Sequence, residues 1–180
     1  MKLIPTAIPD VVLIDPKVFG DDRGFFYESW NKQTLAELGI EADFVQDNQS
    51  RSLKNVLRGL HYQIEHAQGK LVRVIAGEVY DVAVDLRRTS PTFGKWVAFT
   101  LSAANRRIAW IPAGFAHGFC VTSDTAEFLY KTTDYWSPAH ERTLLWNDPQ
   151  LAIPWPLEGE PLLAEKDVNG QPLENLETFK

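Results

Sequence analysis

The sequence predicts an all-β fold, a sandwich or barrel built from short strands. Short runs rich in Val, Ile, Leu, Phe and Trp recur along the chain, and residues that favour turns (Gly, Pro, Asn and Asp) separate them. The chain of 180 residues has the length of one domain, which we place at residues 1–180. Its 44% hydrophobic and 23% charged residues are enough to bury a core.

Several segments have the composition and length of strands, and each ends at turn-forming residues. The predicted strands are residues 11–14, 24–28, 71–75, 79–86, 96–101, 107–111, 118–121 and 127–132. Residues 76–78 form a turn around Gly77, so we expect the two strands that flank it to pair with each other. One helix is predicted over residues 31–38, and Gly39 ends it.

The last third of the chain is rich in Pro and Trp. Proline removes a backbone donor and fixes its φ angle, so such a segment cannot continue a regular sheet or a long helix. We therefore expect irregular chain with a few short helices, mainly toward the C-terminus, wrapped over the strands.

Charge and cysteine content exclude several functional classes. The formal net charge of −6 argues against binding to nucleic acid or to an anionic membrane. Cys120 is the only cysteine, so no intrachain disulfide is possible, and its apolar neighbours predict a buried, unreactive thiol. No stretch has the length of a transmembrane helix, and Pro5 and Pro9 interrupt the N-terminus where a signal peptide would lie. A cytoplasmic protein is expected.

Two segments resemble the two sequence motifs of a cupin barrel: residues 57–77 and residues 112–119 (PAGFAHGF). Metal-binding cupins place His-x-His and a Glu in the first motif and a third His in the second. Here His61 is followed by Gln63 at the place of the second His, Lys70 stands near the place of the Glu, and only His117 remains. The resemblance predicts a cupin-like jelly-roll barrel, and a cation in place of a carboxylate disfavours a divalent metal.

These residue types fit acid–base chemistry beside a carbonyl group. An imidazole has a pKa near the working pH and can remove a weakly acidic proton, which makes His61 the candidate base. The ammonium group of Lys70 would stabilise the oxyanion that forms.

Further blocks extend the resemblance along nearly the whole chain. They are residues 22–28, 46–48, 57–63, 66–74, 81–87, 90–94, 112–119, 130–131, 146–149 and 166–167. Taken in this order, the blocks resemble the dTDP-4-dehydrorhamnose 3,5-epimerases. The resemblance implies an enzyme without cofactor or metal that inverts C3 and C5 of dTDP-4-dehydro-6-deoxy-D-glucose and yields dTDP-4-dehydro-L-rhamnose. It also implies a jelly-roll homodimer whose subunits share strands.

The resemblance assigns four catalytic residues. His61 is the base, Asp167 orients its imidazole, Lys70 stabilises the enolate oxygen, and Tyr130 is the acid that protonates the opposite face. A phenol is a suitable donor when a nearby cation lowers its pKa, which is expected for Tyr130.

A second set of residues matches positions that contact the nucleotide sugar. Arg23 and Arg58 are expected on the diphosphate, because guanidinium groups match phosphate geometry. Trp136 stands where the family often has Tyr and is expected to stack on thymine, while Ala164 stands where Ser is common. The remaining substrate-binding candidates are Phe26, Glu28, Gln46, Asp47, Asn48, His117, Glu141 and Lys166.

Arg58 and His61 have opposite parity, so a regular strand would direct them to opposite faces. Either a bulge at Gly59 brings both side chains into one pocket, or Arg58 serves the site of a partner subunit.

Two alternatives to the double epimerase stay open. One is a 3- or 5-mono-epimerase or a ketoisomerase acting on a related dTDP-4-keto sugar, since ring placement decides which hydrogen meets His61. The other is a cupin that only binds a sugar nucleotide, or a metal-dependent cupin oxygenase. Retention of His61, Lys70 and Tyr130 argues against binding alone, and Gln63 and Lys70 argue against the oxygenase.

Overall fold

Two antiparallel sheets form the body of the protein in the computed structural model, which describes residues 1–180. In spatial order, the six-stranded sheet consists of β1 (Lys2–Pro5), β2 (Val12–Asp15), β10 (Ile108–Ile111), β7 (Lys70–Ala76), β12 (Thr125–Thr132) and β5 (Gln46–Leu53). The five-stranded sheet consists of β13 (Glu141–Thr143), β6 (Leu57–Gln63), β11 (Phe115–Val121), β8 (Glu78–Asp85) and β9 (Trp96–Ser102). A separate hairpin joins β3 (Phe19–Asp21) and β4 (Gly24–Phe26).

The main core lies between the two sheets. Fourteen of its sixteen buried residues come from the two sheets, for example Val72 and Phe128 from the six-stranded sheet and Val79 and Phe119 from the five-stranded one, and the other two, Ile8 and Val11, lie between β1 and β2. The rings of Phe119 and Phe128 stack with centroids 4.2 Å apart and so join the sheets at the centre. Burial of this apolar surface is the main force that holds the sheets together.

Short helices and irregular chain cover the outer faces of the sheets. Helix α1 (Lys32–Glu37) packs Leu35 against Leu71 and Ile108 on the six-stranded sheet. The C-terminal segment packs residues such as Leu173 against the five-stranded sheet. It contains helix α2 (Glu165–Val168) and a 3-10 helix (Leu173–Asn175). Neither α-helix is long and apolar enough to cross a membrane.

The all-β, cupin-like fold with a few short helices is confirmed. The predicted helix is present, and its N-terminus is capped by Asn31, whose side chain accepts a hydrogen bond from the Thr34 N–H at 3.1 Å. Gly39 follows the helix with a φ of 84°, a left-handed conformation that favours glycine. Cys120 is fully buried, and burial raises the pKa of its thiol to about 11.

The expected pairing across the Gly77 turn is wrong. Strand β7 pairs with β10 and β12, whereas β8 pairs with β9 and β11, so the two strands lie in different sheets. At Gly77 the chain crosses from one sheet to the other with a φ of 72°, and a Cβ there would lie 1.9 Å from the Thr125 carbonyl oxygen. A crossover and a hairpin both need a tight glycine turn, which is why the local sequence did not separate them.

Candidate active site

A cavity of about 590 Å³ opens between the two sheets. Strands β5, β7 and β12 form one wall and strands β6 and β11 form the other, while α2 and the segment after β12 complete the rim. Its lining residues are Gln46, Asp47, Asn48, Gln49, Ser50, Arg58, His61, Gln68, Lys70, His117, Gly118, Phe119, Phe128, Tyr130, Trp136, Glu141, Ala164, Lys166 and Asp167. The four predicted catalytic residues thus line one cavity.

His61 and Asp167 form a hydrogen-bonded pair at the cavity wall. The Nε2 atom of His61 lies 2.5 Å from Oδ1 of Asp167. Asp167 belongs to α2, and only 1% of its surface is exposed. The backbone N–H of Gly59 also donates to this carboxylate, at 3.4 Å. Burial lowers the pKa of His61, against the opposing effect of Asp167, and the charge of Lys166 lowers it further. The imidazole is therefore held neutral near pH 7, with one ring nitrogen bonded to Asp167 and the other available as a base.

A bulge in β6 places Arg58 and His61 in the same cavity. His117 of β11 is paired with His61, and Phe119 is paired with Arg58, so two steps along β11 match three along β6. Gly59, with a φ of 124°, supplies the extra residue. Of the two explanations for the parity of Arg58, the bulge at Gly59 is the one observed.

Lys70 lines the cavity and is 8% exposed. Its Nζ donates a hydrogen bond to the His61 carbonyl oxygen at 3.2 Å, from the opposite sheet. Burial lowers the pKa of Lys70 to about 8, while Glu141 and Asp81 act in the other direction. The amine is therefore mostly protonated at pH 7 and can stabilise a negative oxygen. No group of three or more His, Cys, Asp or Glu side chains in the chain is arranged to hold a metal ion.

Tyr130 enters the cavity from β12, the strand next to that of Lys70. The prediction that a cation lowers its pKa is wrong. Burial raises the pKa of Tyr130, and the charge of Glu141 raises it further, while Arg58 opposes them only in part. The phenol therefore keeps its proton across the neutral range, which still suits the role of an acid.

His117 is linked to a buried carboxylate, that of Asp81. Its Nε2 lies 2.9 Å and 3.0 Å from the two oxygens of Asp81, and Asp81 is fully buried. Burial raises the pKa of Asp81, while His117 and Lys70 oppose this effect. A second His–Asp pair thus lies beneath the cavity. Successive side chains along β8 point to opposite faces of the sheet, and the Asp81 side chain is fully buried. Nothing in the sequence identified His117 as the partner of this carboxylate.

Most of the predicted substrate-binding residues line the cavity as well. Lys166 donates to both oxygens of Glu141, at 3.0 Å and 3.1 Å. Gln46 donates to Asn48 at 2.9 Å, and the Asp47 carboxylate pairs with Lys131 at 2.8 Å. Sequence reasoning missed seven lining residues: Gln49, Ser50, Gln68, Gly118, Phe119, Phe128 and Ala164. For Gln49 and Ser50, the signal was their position directly after the motif at 46–48.

Three of the predicted residues do not line the cavity. Arg23 lies on the β3–β4 hairpin, where its side chain is 90% exposed and pairs with Asp21. Phe26, on the same hairpin, is 69% exposed. Glu28 follows the hairpin and accepts a hydrogen bond from Asn31. The structure therefore does not bring Arg23, Phe26 and Glu28 together with the catalytic candidates within one chain.

Known proteins match this chain along nearly its whole length. A family model described as dTDP-4-dehydrorhamnose 3,5-epimerase matches residues 5–175. A protein of that name from Pseudomonas aeruginosa is 63% identical over 180 residues, with 99% of each chain covered. One from Shigella flexneri is 58% identical over 181 residues, again with 99% of each chain covered.

Solved structures show the same similarity. A dTDP-6-deoxy-D-glucose-3,5-epimerase from Legionella pneumophila, crystallised in complex with dTDP-4-keto-L-rhamnose, superposes with a TM-score of 0.96. Its sequence is 54% identical, and the match covers 98% of this chain and 94% of that one. Because the family model matches residues 5–175 and these relatives share more than half of their residues with it, the chain belongs to the dTDP-4-dehydrorhamnose 3,5-epimerase family.

Proposed function

We propose that this protein inverts C3 and C5 of dTDP-4-dehydro-6-deoxy-D-glucose and so forms dTDP-4-dehydro-L-rhamnose. The observation that carries the proposal is the arrangement of proton-transfer groups around one cavity. The His61–Asp167 pair lies on the five-stranded side, whereas Lys70 and Tyr130 project from the six-stranded sheet. Inversion requires proton removal on one face of the carbon and delivery on the other, and two opposed walls supply both.

The proposed steps follow from the protonation states. The ring nitrogen of His61 that is not bonded to Asp167 takes the proton from the carbon next to the C4 ketone. The C–H electron pair forms an enolate whose oxygen is stabilised by the Lys70 ammonium group. Tyr130 then gives its proton to the opposite face of the same carbon, and the electron pair returns from oxygen to form the new C–H bond. Exchange with solvent resets His61 and Tyr130, and the sequence repeats at the second carbon.

The nucleotide half of the substrate fits the remainder of the cavity. Arg58 and Lys166 offer positive charge to the diphosphate, and Trp136 offers an aromatic face to the thymine ring. Gln46, Asp47, Asn48, Glu141 and His117 supply further polar groups along the same wall. The binding of dTDP-4-keto-L-rhamnose by the Legionella pneumophila relative supports this assignment.

The proposed assembly is a homodimer with exchanged strands. Arg23, Phe26 and Glu28 match family positions that contact ligand, yet they do not line the cavity of their own chain. The β3–β4 hairpin that carries Arg23 and Phe26 forms no sheet with the rest of the chain. A second copy that receives this hairpin would complete the nucleotide site with an arginine and an aromatic ring. We place the enzyme in the cytoplasm, which agrees with a single, buried thiol.

The direct test is the stereochemistry of the product. The purified protein is incubated with dTDP-4-dehydro-6-deoxy-D-glucose, and the sugar ring is followed by proton NMR. The proposal expects the L-lyxo product, inverted at both C3 and C5. Inversion at only one carbon would show that the protein is a mono-epimerase, and migration of the keto group would show that it is a ketoisomerase. An unchanged sugar that still binds would mean a binding protein.

A further inference from the structure

The segment that carries Trp136 is held in place by glutamine side chains. This segment, residues 133–140, joins β12 to β13 and is here named the Trp136 loop. Trp136 itself is 57% exposed and lines the cavity rim. A mostly exposed aromatic ring has few contacts of its own to fix its position, so its backbone must be held by other groups if the ring is to be presented in one place.

Gln63 holds the backbone on both sides of Trp136. Its Nε2 donates to the carbonyl oxygen of Tyr135 at 3.2 Å and to that of His66 at 2.7 Å. Its Oε1 accepts from the backbone N–H of Ser137 at 2.8 Å. Both amide hydrogens and the amide oxygen are thus used, and the side chain is only 3% exposed. The buried amide ties β6, the strand of His61, to the residues that flank Trp136.

Two further glutamines complete the attachment. Gln46 of β5 accepts a hydrogen bond from the backbone N–H of Trp136 at 3.0 Å. Gln68 donates to the carbonyl oxygen of Asp134 at 2.9 Å. The backbone polar groups of four consecutive residues, 134–137, are therefore bonded to side chains from three different parts of the fold. Gln46 and Gln68 line the cavity themselves, whereas Gln63 does not, so any effect of Gln63 on a ligand is transmitted through the loop.

We infer that Gln63 is a positioning residue for nucleotide binding, which acts by fixing the Trp136 loop so that the indole is preformed as a wall for the base. The inference rests on the proposed function, in which Trp136 faces thymine. A ring that is already in place loses little freedom on binding, and this raises affinity without any contact from Gln63. The side chain that stands where metal-binding cupins have a second histidine thus serves substrate affinity here.

The test uses dTDP itself as the probe and the variant Gln63→Met, which has similar length but cannot form the three hydrogen bonds. The Kd for dTDP, measured by calorimetry, is expected to rise about tenfold, comparable to the loss of one base-stacking contact. For the sugar nucleotide, KM is expected to rise in parallel while kcat stays within about twofold, because His61, Lys70 and Tyr130 are untouched. Gln33→Met, on the exposed face of α1, is the matched control and should leave both constants unchanged.

A double-mutant cycle shows whether Gln63 acts through Trp136. Gln63→Met is expected to weaken dTDP binding in the native background and to have little further effect in Trp136→Ala. An equal effect of Gln63→Met in both backgrounds, or an unchanged Kd in the native one, would overturn the inference. If Gln63→Met does not fold, as judged by circular dichroism, the same measurements are made on Gln63→Glu. This variant keeps the acceptor for the Ser137 N–H and loses both donors. Failure of the native protein to epimerise would overturn the proposed function instead, because Kd for dTDP is measured separately from turnover.

Discussion

His61 and Lys70 have pKa values displaced in the same direction, and for the same reason. Both lie in the interior of the barrel, where burial disfavours the charged form of a base. For His61 this favours the neutral imidazole that a base requires. For Lys70 it gives a pKa of about 8, low enough to matter within the range in which enzymes are assayed.

The rate is therefore expected to depend on pH through both groups. Activity should rise as His61 loses its proton, at a pH below the ordinary histidine value of about 6.5. It should fall as pH increases through about 8, where Lys70 loses the charge that is proposed to stabilise the enolate. The profile of kcat/KM against pH measures both limbs. In Lys70→Arg, whose guanidinium stays charged, the alkaline limb should move to higher pH even if the rate is lower, and an unmoved limb would contradict the assignment.

Asp167 is expected to act on the rate through the orientation and charge of His61. Asp167→Asn keeps the shape of the side chain but removes the carboxylate that favours the imidazolium formed in the reaction. We expect kcat to fall by roughly 10²- to 10⁴-fold with little change in dTDP affinity. Asp43→Asn, which alters the exposed partner of Lys32 outside the cavity, is the control and should retain activity. Near-native turnover in Asp167→Asn would show that the pair at 2.5 Å is structural only.

The residue types of the site were predictable, but their electrostatic surroundings were not. The sequence placed His61, Lys70, Tyr130 and Asp167 in one site through the family resemblance, and all four line one cavity. It predicted the wrong direction for the pKa of Tyr130, because burial and Glu141 outweigh Arg58. These opposing effects depend on distances across the barrel, which sequence spacing does not contain.

At the scale of elements, the bulge in β6 decides which of its side chains line the cavity. A Cβ added at Gly59 would lie 2.6 Å from the Gly118 Cα and 2.8 Å from the His117 carbonyl oxygen. The two strands can pair closely around the bulge only because neither position has a side chain.

Gly59→Ala is therefore expected to lower the free energy of unfolding by roughly 2–4 kcal/mol, from backbone strain together with overpacking. Catalytic activity should fall by more than the loss of folded protein explains, because the bulge sets the positions of the His61 and Arg58 side chains. Urea unfolding and kcat/KM measure the two effects. Gly159→Ala is the control. Gly159 also has a positive φ, of 87°, but nothing lies within 4 Å of the added Cβ, so the free energy of unfolding of this variant should fall by only about 1 kcal/mol. An equal decrease in the free energy of unfolding of the two variants would exclude a packing role for Gly59.

Strands with an apolar pattern were predictable, and polar strands were not. Strand β12 alternates, with Phe128 directed to the core, and it was predicted within two residues of its observed start. Strand β5 (QDNQSRSL) was missed because it lies at the edge of its sheet and lines a polar cavity, so neither face is apolar. A strand that binds a polar ligand does not have the periodic hydrophobicity by which strands are recognised.

At the scale of the whole molecule, the two sheets supply different parts of the proposed chemistry and the hairpin supplies none within its own chain. The five-stranded sheet carries His61 and His117, and the six-stranded sheet carries Lys70 and Tyr130. The hairpin leaves Phe26 and Arg23 exposed, although both were predicted to bind the nucleotide sugar. The sequence contained these residues but did not show that the hairpin lies away from the cavity.

Complementation between two inactive variants tests the proposed dimer. His61→Ala lacks the base, and Arg23→Ala lacks the arginine proposed to enter the partner's site. After the two are unfolded together and refolded, half of the dimers are mixed and each mixed dimer has one complete site. We expect about one quarter of native activity from the mixture. Activity no greater than the mean of the two separate variants would place Arg23 in its own subunit's site or outside any site.

His61 and Tyr130 are proposed to move protons at both carbons beside the ketone, and position-resolved exchange with solvent tests these roles most directly. The native protein and His61→Ala are each incubated with dTDP-4-dehydro-6-deoxy-D-glucose in heavy water containing EDTA, and proton NMR follows the signals at C3 and C5. Deuterium is expected to enter both positions with the native protein and neither with His61→Ala. Exchange at both carbons in His61→Ala, or loss of exchange with EDTA that zinc or iron restores, would exclude the proposed roles.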